Sequence, residues 1–166
     1  QNPRYEDRFY RDYYDNLYRE IVFGHATPEK EEIDDQISRA SGVMEYVHRF
    51  VNPPGRMLDH GCATGAALLP FRDKGWEVFG VDPHRPSVEI GCKHLGLDIS
   101  LGVGEKLPYD DNSFELIFSL GSTEHAYDFE KMMHECRRVL VPNGWMLIRW
   151  RSNTLWGSPL EYFNHN

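Results

Sequence analysis

The run Asp59-His60-Gly61-Cys62-Ala63-Thr64-Gly65 is followed, 21 positions after Gly61, by an isolated acid, Asp82. Glycines at this spacing remove side chains where backbone must pass close to another group, and a helix beginning just after them offers unpaired N–H groups. A carboxylate at the tip of the following strand can accept both hydrogen bonds of a ribose diol, so loop and acid together suit a nucleoside-bearing ligand. Each half alone has a plainer reading, since glycines make turns and Asp commonly caps a helix. The order strand, glycine loop, helix, strand, acid favours the ligand. Further along, His125 and Glu124 follow the apolar run Phe114–Leu120, and either could take a proton from a bound hydroxyl. The alternative for His125 is a structural histidine bonded to backbone.

These residues must be held by an alternating series of elements. Ile33, Ile37, Ala40, Met44, Val47 and Val51 recur at spacings of three and four behind the acidic stretch 29–35, predicting a helix that ends at Asn52-Pro53-Pro54-Gly55. Strands are then expected at 56–59, 77–82, 99–101, 114–120 and 145–150, with helices at 66–74, 86–95 and from Phe129 to about Leu140. Such alternation implies an α/β fold, a doubly wound parallel sheet with helices on both faces and ligands at the carboxyl ends of the strands. Residues 3–23 are rich in aromatic side chains, including Tyr5, Phe9, Tyr10, Tyr13, Tyr14, Tyr18 and Phe23. Their spacing is helical. They form a peripheral helix packing its rings on the domain or, more sharply, a lid over a cleft. The chain thus divides into an aromatic cap segment at 1–30 and the ligand-binding domain at 31–166.

The segment Met57 to Gly65 resembles motif I of the class I S-adenosylmethionine-dependent methyltransferases. Gly80-Val81-Asp82 is similar to the acidic motif after their second strand. The segment Gly104 to Glu115 resembles their G-D-A-E-x-L-P-F-x-D-x-S-F-D run, and Glu135 to Gly144 resembles their E-x-x-R-V-L-K-P-G-G block. The resemblance runs from about residue 56 to 150 and implies a Rossmann-like fold with S-adenosylmethionine as cofactor and S-adenosylhomocysteine as product. It assigns Asp59, Gly61, Cys62, Ala63 and Gly65 to the methionine part and one side of the ribose, Asp82 to the ribose hydroxyls, and Pro83 to the adenine. Ser119 and Leu120 would close the cleft beneath the sulfonium, with His125 on the acceptor side and Glu124 as the second candidate base. Val103 stands where the family carries an acid that accepts from the adenine amino group, leaving that task to the backbone of Val103 and Gly104 or to Glu105. Family members also continue past the fifth strand into an antiparallel hairpin. Five strands without that hairpin are expected here, so the chain reads as truncated, with an apolar fifth-strand edge open to self-association into a homo-oligomer.

Composition narrows the partners. A formal charge of −8 disfavours a nucleic-acid surface, which needs clustered Lys and Arg. No apolar run approaches the roughly 20 residues of a membrane span. Cys62, Cys92 and Cys136 are widely spaced without C-x-x-C, consistent with reduced thiols and a cytoplasmic location. The first residue, Gln1, points to a native start upstream. The histidines show no H-x-H or H-x-x-x-H spacing, so no metal is expected. The resemblance, which is strongest to the small-molecule and glycan-associated branch of the family, implies a small-molecule or glycan acceptor. A nicotinamide enzyme would share the sheet but should show G-x-G-x-x-G, where residues 61–66 read G-C-A-T-G-A. A methyltransferase-like protein without activity, serving as an adenosyl-binding scaffold, is the other rival.

Overall fold

The apolar runs Met57-Leu58, Leu116-Ile117-Phe118 and Met146-Leu147-Ile148 have no polar side, and in a strand, where successive side chains point to opposite faces, such runs require cover above and below. In the computed structural model, which describes residues 7–149 and 160–164, each of these residues is buried. Met57, Leu116, Phe118 and Leu147 join one core with Ala40, Met44 and Val47 of helix α3 (Lys30–Val47) and Phe71 of α4 (Leu69–Asp73). Leu58, Ile117, Met146 and Ile148 enter a second core with Met132, Cys136 and Val139 of α6 (Phe129–Val139).

The sheet comprises β1 (Arg56–His60), β2 (Glu77–Asp82), β3 (Asp98–Leu101), β4 (Phe114–Leu120), β5 (Leu140–Arg149) and β6 (Leu160–Asn164), in the order β3-β2-β1-β4-β5-β6. The first five are parallel, so the expected doubly wound fold is present. The chain reverses direction across the sheet between β1 and β4, and the crevice at the carboxyl ends beside that switch is where such folds hold ligands. The expected absence of anything beyond β5 is corrected. β6 pairs antiparallel with it from Trp145 opposite Asn164 to Arg149 opposite Leu160, so the edge expected to be open for self-association has its backbone groups engaged. β5 also begins earlier than residue 145. Leu140 lies opposite Phe114 and Trp145 opposite Leu116, so the Pro142-Asn143-Gly144 stretch is an irregularity inside the strand, with Asn143 at φ 63°.

Local chemistry sets other boundaries. Helix α3 starts on a reciprocal cap between Glu29 and Glu32. After the glycine loop the chain makes a 3-10 turn, Ala66–Leu68, before α4, because Pro70 has no N–H to give and is tolerated only in the first helical turn. Helix α5 (Arg85–His94) is capped by the His84 ring, which accepts from Ser87 N. The N-terminal segment is helical as α1 (Asp7–Asp12), a π turn (Tyr13–Leu17) and α2 (Tyr18–Phe23), ending at Gly24. Tyr5 and Trp150 lie outside the described residues. No described helix is long and apolar enough to cross a membrane.

The Glu135 to Gly144 block acts as a clamp. The Arg138 guanidinium bonds both carboxylate oxygens of Glu135 (2.8 Å each) and the carbonyls of Tyr109 (2.8 Å) and Leu107 (3.1 Å), while Glu135 accepts from Leu107 N (2.9 Å). Arg138 first and burial against it second leave the Glu135 carboxyl below its ordinary range. Hydrogen bonds to charged groups are worth about 1.5–3 kcal/mol, and lysine cannot reproduce the planar fork. Arg138→Ala should therefore lower unfolding free energy by about 2–3 kcal/mol in urea titration, and Arg138→Lys should recover less than half of that. A loss within about 0.5 kcal/mol would mean that the clamp is a surface ornament.

Candidate functional site

Strand pairing places Asp59 opposite Gly80 and His60 opposite Val81, so the loops after β1 and β2 leave the sheet side by side. The Asp82 carboxylate joins them, its Oδ2 accepting from Ala63 N (2.7 Å) and its Oδ1 from His84 N (2.8 Å). Ala63 is held at φ 51°, a left-handed conformation that costs an alanine about 1–2 kcal/mol and persists because this bond and its neighbours fix it. Thr64 Oγ1 donates to Gln36 Oε1 (3.1 Å) and ties the same loop to α3.

Around this junction lies a cavity of about 350 Å³. Of the residues singled out from sequence, Asp59, Gly61, Cys62, Ala63, Asp82, Pro83, Val103, Gly104, Glu105, Leu120 and His125 line it. Three do not, each for a physical reason. Gly65, at φ 72°, faces the core instead: an added Cβ would come within 2.7 Å of Ile99 Cδ1 and 3.0 Å of Leu97 Cδ1, so this glycine serves packing. Ser119 is fully buried behind Ser122, its Oγ 2.7 Å from Ser122 Oγ. Glu124 shares the 3-10 turn Thr123–His125 with His125, and a turn of three residues sends their side chains different ways, leaving Glu124 exposed. Gly61 is at the cavity, but a Cβ there would collide with the Ser122 side chain as well as narrow the cleft. Glu105 accepts from Asp128 N (3.1 Å), so one of its oxygens is engaged in holding the loop before α6.

Several lining residues escaped the motif reading. His60 and Ser122 form the floor, with Ser122 Oγ donating to the His60 carbonyl (2.6 Å) and lying 3.3 Å from His60 Nδ1. Burial drives the His60 imidazole down to about 4. Gln36, Asp35 and Arg39 come from the N-terminal part of α3, where Gln36 borders the apolar stripe, and polar residues flanking such a stripe are the signal that could have found them. From the N-terminal segment, Tyr14 and Tyr18 reach the cavity, their rings 5.7 and 5.5 Å from the His125 ring in edge-on contact. Buried Arg19 anchors this segment by bonding both oxygens of Glu32 (2.7 and 2.6 Å), with its guanidinium 4.8 Å from the Phe23 ring centroid. Arg149, the last residue of β5, completes the wall.

Asp59 is the electrostatic exception. It is 4% exposed and makes no side-chain hydrogen bond or ion pair among the described residues. Burial first, and the Asp82 charge second, push its carboxyl up to about 8. A buried acid with Asp82 beside it and no cationic partner among the described residues is the environment that a positively charged ligand group would relieve.

Residues 58–148 match the family described as a methyltransferase domain. The chain is 26% identical over 113 residues to a ubiquinone biosynthesis O-methyltransferase of Rhizobium etli, covering 65% of this chain and 46% of that protein. It is 30% identical over 162 residues to a glycine/sarcosine/dimethylglycine N-methyltransferase of Actinopolyspora halophila, covering 83% of this chain and 28% of that one. Among solved structures, the YcgJ protein of Bacillus subtilis superposes with a TM-score of 0.61 at 27% identity, covering 69% of this chain and 51% of that chain. The chain therefore spans about half or less of the length of these curated relatives.

The Asp59 titration has a measurable consequence. Between about 4 and about 8 the native state keeps a proton on Asp59 that the unfolded chain has lost, so this group makes stability fall as pH rises. His60, lowered by burial, contributes the opposite slope between about 4 and its ordinary 6.5. The difference between Asp59→Asn and wild type isolates the acid. In thermal melts of ligand-free protein, the variant's advantage should grow from pH 4 to 8 by at least about 1.4 kcal/mol, the worth of a tenfold change in proton affinity. A pH-independent difference would show that Asp59 does not titrate in this window.

Proposed function

Because this chain belongs to the class I S-adenosylmethionine-dependent methyltransferases, we propose that it binds S-adenosylmethionine in the cleft around Asp59 and Asp82 and transfers the methyl group to a small-molecule acceptor held near His125. The observation that carries this reading is Asp59, whose buried carboxyl lacks a cationic partner among the described residues and fits a ligand bearing an ammonium group and a sulfonium. Asp59, Gly61, Cys62 and Ala63 would hold the methionine part, Asp82 the ribose hydroxyls, and Pro83 with Val103, Gly104 and Glu105 the adenine. Asp82 keeps lone pairs for a diol beyond those given to Ala63 and His84, since a carboxylate offers about four acceptor sites.

When bound, the cofactor would supply an electrophilic methyl group on a positively charged sulfur, with a neutral thioether as its leaving group. The protein's part is orientation and exclusion of water, contributions of roughly 7–11 kcal/mol when two reactants are aligned. The described residues of the 1–30 segment act as a cap, with Tyr14 and Tyr18 closing the cavity over His125 and the Arg19–Glu32 pair holding the cap to α3. His125 takes the acceptor's proton where the acceptor is a hydroxyl or an ammonium. The two curated relatives carry O- and N-methyltransferase names, and the site is compatible with either atom.

Calorimetry tests the adenosyl site. S-adenosylmethionine and S-adenosylhomocysteine should bind and NAD should not. Asp82→Asn, which can still accept one backbone N–H, should weaken both adenosyl ligands by about 1.5–3 kcal/mol, the worth of a charge-assisted hydrogen bond. NAD binding without adenosyl binding would overturn the reading, and wild-type affinity in the variant would remove Asp82 from the ligand's contacts.

A further inference from the structure

Three arginines line the cavity, and they are not equivalent. Arg19 lies 2.6 Å from Glu32, and Arg39 forms an ion pair with Asp35 one turn earlier in α3. The half-buried Arg149 side chain makes no ion pair or hydrogen bond among the described residues. Its root is fixed nonetheless. It ends β5 between Leu120 of β4 and Leu160 of β6, and its carbonyl accepts from Gly121 N (2.8 Å), at the start of the loop that leads to His125. The uncommitted guanidinium is therefore planted at the acceptor end.

The carboxylates are placed the other way. Asp59 and Asp82 stand at the ends of β1 and β2, and Glu105 follows β3, so the cavity is acidic where the adenosyl ligand is assigned and basic beside β5. Resting on that assignment, we infer that Arg149 is a specificity-determining residue and that the methyl acceptor is a small molecule bearing a carboxylate, which the Arg149 guanidinium holds while the nucleophilic atom faces His125. One arginine suits a carboxylate because its two parallel N–H groups match the two oxygens. A phosphate dianion would call for a second cation, and the other two arginines are already committed to carboxylates of the protein. The edge-on rings of Tyr14 and Tyr18 supply an apolar wall for the rest of the molecule.

The test uses matched acid and amide probes with an amine or a phenol as nucleophile: sarcosine against sarcosinamide, and 3,4-dihydroxybenzoate against 3,4-dihydroxybenzamide. Homocysteine-release assays give kcat/KM, and thermal shift in saturating S-adenosylhomocysteine gives binding without turnover. The wild type should prefer the acid of at least one pair by tenfold or more and be stabilised by it. Arg149→Ala should lose that preference through a rise in KM for the acid, with the amide little changed, and Arg149→Lys should restore part of it; unaltered S-adenosylhomocysteine affinity would show that both variants are folded. Equal use of acid and amide, no binding of either acid, or a preference that survives in Arg149→Ala would overturn this inference alone. Failure of the wild type to bind S-adenosylhomocysteine would overturn the adenosyl reading and this one with it.

Discussion

The cleft depends on one buried carboxylate. Asp82 ends β2 with its two oxygens committed in opposite directions, to Ala63 N in the loop after β1 and to His84 N ahead of α5. Without an acceptor there, two backbone donors at the end of a parallel sheet would lose their partners, at about 1–3 kcal/mol each. The same bond keeps Ala63 in a conformation that alanine avoids. Because β1 and β2 are paired along their length, a carboxylate at the tip of one is delivered to the loop of the other, and the sheet's register becomes the site's geometry. The arrangement also has an electrostatic cost. A second acid, Asp59, is buried in the same cleft, and the Asp82 charge adds to desolvation in keeping it protonated near neutrality. Joining the loops with a carboxylate thus leaves the cleft disposed towards a cation.

Much of this was legible in the sequence because the controlling interactions are local or set by strand period. The unbroken apolar runs of β1, β4 and β5 reveal burial on both faces, and the acid 21 positions after Gly61 marks the switch-point crevice. What was not legible depends on three-dimensional direction. His125 and Glu124 are neighbours of similar chemical promise, yet the 3-10 turn directs the first inward and the second to solvent. Gly61 and Gly65 look equivalent in a motif, but one stands at the cavity and the other makes room for Ile99 and Leu97. β6 was missed because Leu160-Glu161-Tyr162-Phe163-Asn164 has no strong periodicity of its own, and its pairing is specified by the edge that β5 presents. In the sequence Arg149 stands out only as a charge ending an apolar strand, and it is the position of that strand end in the parallel sheet that brings it to the cavity wall.

The far side of the sheet is coupled to the site by the same logic of committed charges. Arg138 and Glu135 lie on α6, away from the cavity, yet between them they hold Leu107 by both its N–H and its carbonyl, and Arg138 takes the carbonyl of Tyr109 as well. Tyr109 in turn donates its hydroxyl to Gly80 O (2.8 Å), two residues before Asp82. The loop that presents Val103, Gly104 and Glu105 to the cavity is thereby anchored at one end to α6 and joined through Tyr109 to the strand that carries Asp82. Glu105 closes the circuit by accepting from Asp128 N at the start of α6. The block from Glu135 onward therefore positions the site without entering it. Many of the residues around the cavity are occupied in keeping its loops still, and the ionisable groups that have no partner among the described residues, Asp59 at one end and Arg149 at the other, are those a bound cation and a bound anion would complete.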